Sequence, residues 1–335
     1  MLTAIRKNET LALSMLVLLT ILYRIKLFFP SHSLEFAFDV AEPLSRLFYS
    51  VIINSALDLQ IILGGASILL TLLHAFWMNQ ILIKYKLFEK EGFLPSILYV
   101  CFMGMSPAFL QCTPVLMALT FMIPVIDKLL EAYNNDSCFK LIFDCGFLVG
   151  LASLFYFPSI FMILFVFISL AQLRSVNIKE WLSVIVGLIT IYILAFTVFF
   201  LFEEDIFKFR PLGSNFSDIL KSFFAGSDGS LLGVLGMVIF IVAAVGYTSS
   251  QLTGTLIQYR KFITILLFFA IASAISIVVP SNSQSAHLLF LMLPVSIGFI
   301  NVLSKYSPGY ISDLIFFFLL AFTLFLQYFP YFYQS

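Results

Sequence analysis

Eleven apolar stretches, each near twenty residues, run from Thr10 to Phe329. An uncharged apolar run of about 18 residues or more is long enough to cross the hydrocarbon layer of a bilayer as a helix. Inside lipid a backbone must satisfy its own hydrogen bonds, which leaves only helices and closed barrels. A barrel needs short segments of alternating polarity, and this sequence has long continuous ones instead. Composition agrees, with 61% hydrophobic residues, a mean hydropathy of +1.06 and 11% charged residues, against roughly a quarter in water-soluble domains. The expectation is an all-α, polytopic transmembrane helical bundle.

The segments expected to cross are residues 10–29, 58–80, 93–108, 112–130, 142–157, 158–173, 182–202, 230–250, 262–279, 285–303 and 311–329. Segments five and six are short and meet at Tyr156-Phe157-Pro158-Ser159, a pattern suited to a buried or re-entrant hairpin. The first segment is too long for a signal-peptide core and lacks a small-residue cleavage site, so it reads as an uncleaved helix. The whole chain, 1–335, is expected to form one transmembrane domain: a core module over 1–202, an outer loop over 203–229 and C-terminal spans over 230–335.

Charge fixes the expected orientation. The N-terminus and the even-numbered gaps hold twelve of the 18 basic residues, among them Arg6, Lys84, Lys128, Arg174 and Lys261; the odd-numbered gaps hold six. Basic residues near span ends stay cytoplasmic. This puts the N-terminus inside and the C-terminus outside a bacterial inner membrane. The net charge is zero, so no global field points to nucleic acid. The cysteines Cys101, Cys112, Cys138 and Cys145 show no metal-type pairing, no metal site is expected, and nothing in the sequence specifies a cofactor.

Two outer loops, Pro30–Leu57 and Glu203–Gly229, are long enough to carry chemistry, and each contains an amphipathic helix pattern. In the first, Leu44, Leu47, Phe48, Val51 and Ile52 share one face, with Arg46, Tyr49, Ser50 and Asn54 opposite and Pro43 at the first helical position. In the second, Phe216, Ile219, Leu220, Phe223 and Phe224 repeat the spacing. Both suit the lipid–water interface. Outer carboxylates include Glu35, Asp39, Glu42 and Asp58. Asp39, flanked by Phe38 and Val40, is the first candidate for a general base. Asp58 is the second, although a carboxylate opening a helix is also an ordinary dipole arrangement. Arg24 and Lys26, at the outer end of the first segment, and Arg210 are candidates for holding a phosphate; snorkelling alone also accounts for the first two. His32 and His287 lie on the outer side, and His287 joins the phosphate- or lipid-binding candidates. His74 is the only ionisable residue expected near the bilayer midplane, which weighs against an ion-coupled transporter.

The stretch Phe143-Asp144-Cys145-Gly146-Phe147-Leu148-Val149-Gly150-Leu151-Ala152-Ser153-Leu154-Phe155-Tyr156-Phe157-Pro158 resembles a helix-hairpin segment of GT-C membrane glycosyltransferases. The end of the first segment, Leu22-Tyr23-Arg24-Ile25-Lys26-Leu27, is similar to the one preceding their first outer loop. That resemblance implies a first outer loop carrying an acidic catalytic residue followed by a helix along the membrane, and Asp39 followed by Pro43–Ile53 matches in placement. It also implies a polyprenyl-phosphate-linked sugar donor. Over 142–181, ending Lys179-Glu180-Trp181, and in overall layout, the chain resembles a family of multi-span inner-membrane proteins of Bacteroidota, which implies a membrane and a lineage but no activity.

The leading expectation is a GT-C-like enzyme transferring sugar on the extracytoplasmic leaflet, with Asp39 as base and Arg24 or Arg210 on the donor phosphate. A second is a non-catalytic scaffold subunit of an envelope-assembly or secretion complex, favoured because Val40 stands after Asp39 where many of those enzymes have a second acid. A third is a lipid or solute transporter. The expected partners are membrane lipid, a sugar donor and other membrane subunits.

Overall fold

Among the described residues the apolar runs fold as helices, the structure that satisfies its own backbone N–H and C=O groups where water is absent. The computed structural model describes residues 5–6, 8–28, 42–53, 58–88, 92–133, 135, 138–174, 177–201, 240, 246, 257–277, 288–305 and 310–334. Among these there is no strand. The helices are α1 (Glu9–Arg24, extended by a 3-10 turn over Ile25–Phe28), α2 (Pro43–Ile53), α3 (Leu59–Lys84), α4 (Leu94–Met103), α5 (Pro107–Leu110) and α6 (Pro114–Tyr133). They continue with α7 (Phe139–Phe155), α8 (Met162–Leu173, preceded by a 3-10 turn over Phe157–Phe161), α9 (Ile178–Leu201), α10 (Ile257–Ile277), α11 (Leu289–Lys305) and α12 (Tyr310–Gln334).

Five of these stretches are long and apolar enough to cross a membrane: Glu9–Phe28, Leu59–Lys84, Ile178–Leu201, Tyr259–Ser276 and Tyr310–Tyr328. The expected second amphipathic helix, Phe216–Phe224, lies outside the described residues, as does all of segment 230–250 but Phe240 and Gly246.

Proline sets several starts. Pro43, Pro107 and Pro114 each occupy a first helical position, where the missing N–H costs nothing. Helix α3 stops in a Schellman arrangement: Leu87 N–H donates to Leu82 O at 3.0 Å and Lys86 N–H to Ile83 O at 3.0 Å. That closure needs a left-handed residue, and Lys86 supplies it at φ 53°.

Helix α4 is the centre of the bundle. All ten of its residues are buried, and α1, α3, α11 and α12 pack around it. Gly104, just past its end, lets Tyr23 close in, since a Cβ there would lie 2.8 Å from the Tyr23 ring. The closest helix pair is α7 with α9. A Cβ on Gly146 would stand 2.0 Å from Val184 O, and one on Gly187 2.2 Å from Phe143 O. Small residues give this approach in lipid, where packing rather than water expulsion drives association.

Side-chain contacts sort the helix ends onto two faces. On one, Lys84 pairs with Asp127 at 2.9 Å and Glu131 at 3.0 Å, and Lys128 with Asp144 at 2.6 Å. On the same face Arg174 Nη1 donates to Ala132 O at 2.6 Å, and Lys261 Nζ lies 3.7 Å over the Tyr133 ring. These residues come from gaps two, four, six and eight of the sequence. On the other face the start of α2, the 111–113 turn and the α7–α8 break meet. The ends of α1 and α12 meet beyond half-height: Tyr328 OH donates to Leu22 O at 2.7 Å and Tyr23 OH lies 2.6 Å from Thr323 Oγ1.

Helix α2 exists where its spacing predicts. Val51, on the expected apolar face, is 70% exposed, while Ser45, Tyr49 and Ile52 are buried. Two helix breaks beneath it account for the buried hydroxyls. Ser45 Oγ donates to Phe155 O and Tyr49 OH to Cys112 O, both at 2.6 Å. Lipid does not penalise an uncovered valine, whereas an unpaired carbonyl in a low-dielectric site is costly, so the hydroxyls turn inward.

Candidate functional site

Two polar constellations interrupt the apolar interior. The first lies on the face that carries α2. Glu42 immediately precedes Pro43, so the proline that starts the helix also fixes its carboxylate at the helix mouth. The side chain is half-buried beside the α7–α8 break, and Phe157 N–H points at Glu42 Oε1 across 3.4 Å. Burial pushes its carboxyl above the usual carboxylate range, against the opposing pull of its own backbone, the Phe157 N–H and the Arg46 charge. A carboxyl raised by desolvation holds its proton to higher pH than a solvated one, which is a property of groups that exchange protons at a site. Tyr49, one helical face below, joins this patch to Cys112.

The second lies deeper, between α1, α3, α4 and α6. Arg24 is fully buried, and its Nη2 donates to Thr71 Oγ1 at 2.6 Å. Thr71 is the thirteenth of the 26 residues of α3, so the guanidinium sits at half-height of that helix. One turn further along α3, His74 Nδ1 lies 3.1 Å from Tyr99 OH and Nε2 lies 2.8 Å from Thr120 Oγ1. Thr120 Oγ1 donates onward to Leu116 O at 3.4 Å. This order assigns the ring proton to Nε2 and makes Nδ1 the acceptor of the Tyr99 hydroxyl. The guanidinium lies within electrostatic range of His74, Tyr99 and Cys112. The expectation that His74 alone occupies the midplane is therefore corrected. Arg24 joins it because its side chain turns along α3 toward the interior instead of snorkelling outward.

The remaining sequence candidates fall in different places. Asp39, Arg210, His32 and His287 lie outside the described residues. Asp58 is exposed at the start of α3. Its backbone carbonyl accepts from Ile61 N–H at 3.0 Å and Ile62 N–H at 3.2 Å, and its side chain makes no capping bond. Lys26 turns away from Arg24 toward α12, where its ammonium meets the Gln327 carbonyl and lies 4.2 Å over the Tyr328 ring. Arg24 and Lys26 are thus not brought together. Among the described residues, no three His, Cys, Asp or Glu side chains converge as metal ligands would.

Residues 43–333 match the family described as "Family of unknown function (DUF6427)". The chain belongs to this family. The matched region opens at Pro43 and so takes in α2, the half-height residues Thr71, His74, Tyr99 and Thr120, and all later helices, while Arg24 lies before it. No curated protein matches the sequence.

Glu42 stood among the outer carboxylates of the sequence, but Asp39 outranked it on flanking residues alone. The available signal was the Glu42-Pro43 pair, which places the carboxylate at a helix mouth; its burial depends on Phe157, far along the chain.

Proposed function

We propose that this chain is an inner-membrane protein of eleven spans, N-terminus in the cytoplasm and C-terminus outside, acting on a lipid-borne substrate at the extracytoplasmic leaflet. The specific reading is GT-C-like transfer of a sugar from a polyprenyl-phosphate donor. The observation that carries it is Glu42: a carboxyl raised by burial, at the mouth of a membrane-facing helix docked over two helix breaks. It supplies a described candidate for general base beside Asp39. In this reading the base takes a proton from the acceptor hydroxyl as the sugar's anomeric bond to phosphate breaks. Lys26, near the end of α1 on that side, and Arg210 are the cations offered to the departing phosphate.

The test uses the full chain in nanodiscs with a radiolabelled polyprenyl-phosphate sugar and a lipid acceptor extract. Transfer that falls at least 100-fold in Glu42→Gln or Asp39→Asn, in protein that elutes as native, supports the reading. Wild-type protein showing no transfer from any polyprenyl-phosphate sugar, or both variants at full rate, removes it.

A scaffold role is the second reading. Helix α9 packs on α7 with one face and on the other presents Val186, 52% exposed, and Phe200, 69% exposed, a face that either lipid or a partner helix would cover. Gentle extraction followed by cross-linking from α9 checks it: lipid adducts alone count against a protein partner there.

A further inference from the structure

The half-height cluster around Arg24 is built for something the outer-face reading does not use. Nη2 is satisfied by Thr71, but Nε and Nη1 are buried with no hydrogen-bond partner. Among the described residues no carboxylate lies within ion-pair distance of the guanidinium. A buried arginine in this state holds its charge without a counterion, which proteins seldom tolerate.

The neighbours are oriented around that charge. Thr71 Oγ1 donates to Ser67 O at 2.8 Å, so only its lone pairs face Arg24. Ser67 Oγ in turn donates to Gly64 O at 2.8 Å. Tyr99 OH lies 3.1 Å from His74 Nδ1. The hydroxyls of Thr71 and Ser67 are therefore spent as donors elsewhere. Thr71 takes one of the two Nη2 hydrogens; the other completes a fork with either Nε or Nη1, both unpartnered, and such a fork suits two oxygens of one planar or tetrahedral anion.

Charge limits the ligand further. Lys26 is turned toward Gln327 and Tyr328, so among the described residues Arg24 is the cation of the cluster. A singly charged group balances it, whereas a diphosphate would leave net charge in the interior. On the α2 side, Tyr49, Ile52, Leu63, Cys112 and Met117 form one buried apolar cluster, so an anion carried on an apolar body matches these surroundings.

We propose that Arg24, with Thr71 and the Tyr99–His74–Thr120 chain as its wall, is an intramembrane site for the oxyanion of a singly charged amphiphile, a carboxylate or a phosphodiester. Arg24 makes the contact; Thr71 is a positioning residue that orients the guanidinium through its 2.6 Å bond. The site works whether or not the outer face transfers sugar.

The experiment reads binding and involves no turnover. Full-length protein in nanodiscs is titrated with oleate and, separately, embedded with dioleoyl-phosphatidylglycerol or dioleoyl-phosphatidylcholine alone; inorganic phosphate is a third probe. Retained ligand is counted by native mass spectrometry. Wild-type protein is expected to hold one oleate or one phosphatidylglycerol saturably, and about 10- to 100-fold more weakly in Arg24→Gln, the loss of charge-assisted bonds. Preference for oleate over phosphatidylglycerol, or the reverse, separates the carboxylate from the lipid source, and saturable inorganic phosphate would assign a free anion; each result supports an oxyanion site. Should Arg24→Gln fail to fold, Arg24→Lys and Thr71→Val serve: both keep the depth and alter the donor edge, and each is expected to weaken retention several-fold. Equal retention in wild type and variants overturns the proposal. So does strong coupling in a double-mutant cycle between Arg24→Gln and Glu35→Gln or Asp39→Asn, which would make the counterion one of the chain's own carboxylates.

Discussion

Replacing Gly146 by alanine should be among the most damaging single-methyl changes this chain can suffer. The new Cβ would lie 2.0 Å from Val184 O and 2.8 Å from Val184 C, while real Cβ contacts essentially never fall under 3.0 Å. Helices α7 and α9 would have to separate by at least about 1 Å. The obstacle is backbone on both sides, so no rotamer change can relieve it. Overpacking of this kind costs about 1–3 kcal/mol, and a gap near 1 Å forfeits up to about half the dispersion energy of the atoms facing it. The upper end of that range, about 3 kcal/mol, is expected. A Cβ on Gly187 would lie 2.2 Å from Phe143 O across the same crossing, so Gly187→Ala should cost a similar amount. Once one alanine has parted the helices, the second meets less resistance, and the double variant should cost less than the sum by about 1 kcal/mol. Trp181, in the first turn of α9 with its ring 5.2 Å from that of Phe167, reports the separation. Its emission can be followed through reversible unfolding in mixed micelles. Gly65 is the control: nothing stands within 4 Å of a Cβ there, so Gly65→Ala should be neutral or gain up to about 1 kcal/mol from helix propensity. If Gly146→Ala unfolds at the same denaturant concentration as Gly65→Ala, the backbone contact is not what joins α7 to α9.

Docking of α2 should depend on pH through Glu42. Its carboxyl is raised in the folded state from the ordinary 4.5, so its contribution is fully present below pH 4.5 and is lost as pH climbs through the raised value. Protease protection of α2 should fall across that window, and Glu42→Gln should flatten the profile. Tyr49→Phe leaves Cys112 O without its 2.6 Å donor and should cost about 1–3 kcal/mol, read as faster maleimide labelling of the buried Cys112. Asp127→Asn breaks the half-exposed pair with Lys84 and should cost under about 1 kcal/mol, an effect that disappears in thermal melts at high salt. Lys86→Gly at the left-handed closing position of α3 should stabilise by about 0.5–1 kcal/mol, and a lower melting temperature would contradict the assigned backbone.

Hydropathy located the helices well because it samples the solvent each residue prefers, and a bilayer enforces that preference over a full crossing. The same local property could not say what α2 rests on. Spacing set Tyr49 opposite the apolar face that holds Val51, and it is the carbonyls freed at Cys112 and Phe155, 63 and 110 residues from their donors, that turn Tyr49 and Ser45 in. Glu42 was visible as a loop acid, but its burial awaited Phe157. The close approach at Gly146 and Gly187 emerged only from the crossing itself, since the backbones they meet, at Val184 and Phe143, lie on the opposite helix.

The order of the apolar runs was enough to forecast which helix ends would gather together, since each crossing of an apolar layer must reverse direction, and Lys84, Glu131, Arg174 and Lys261 do fall on one face. Where an individual side chain points across its helix was decided by distant neighbours. Arg24 could have reached outward to water. It reaches instead to Thr71, because α3 and α4 offer there a set of oriented oxygens that no single segment of the chain contains.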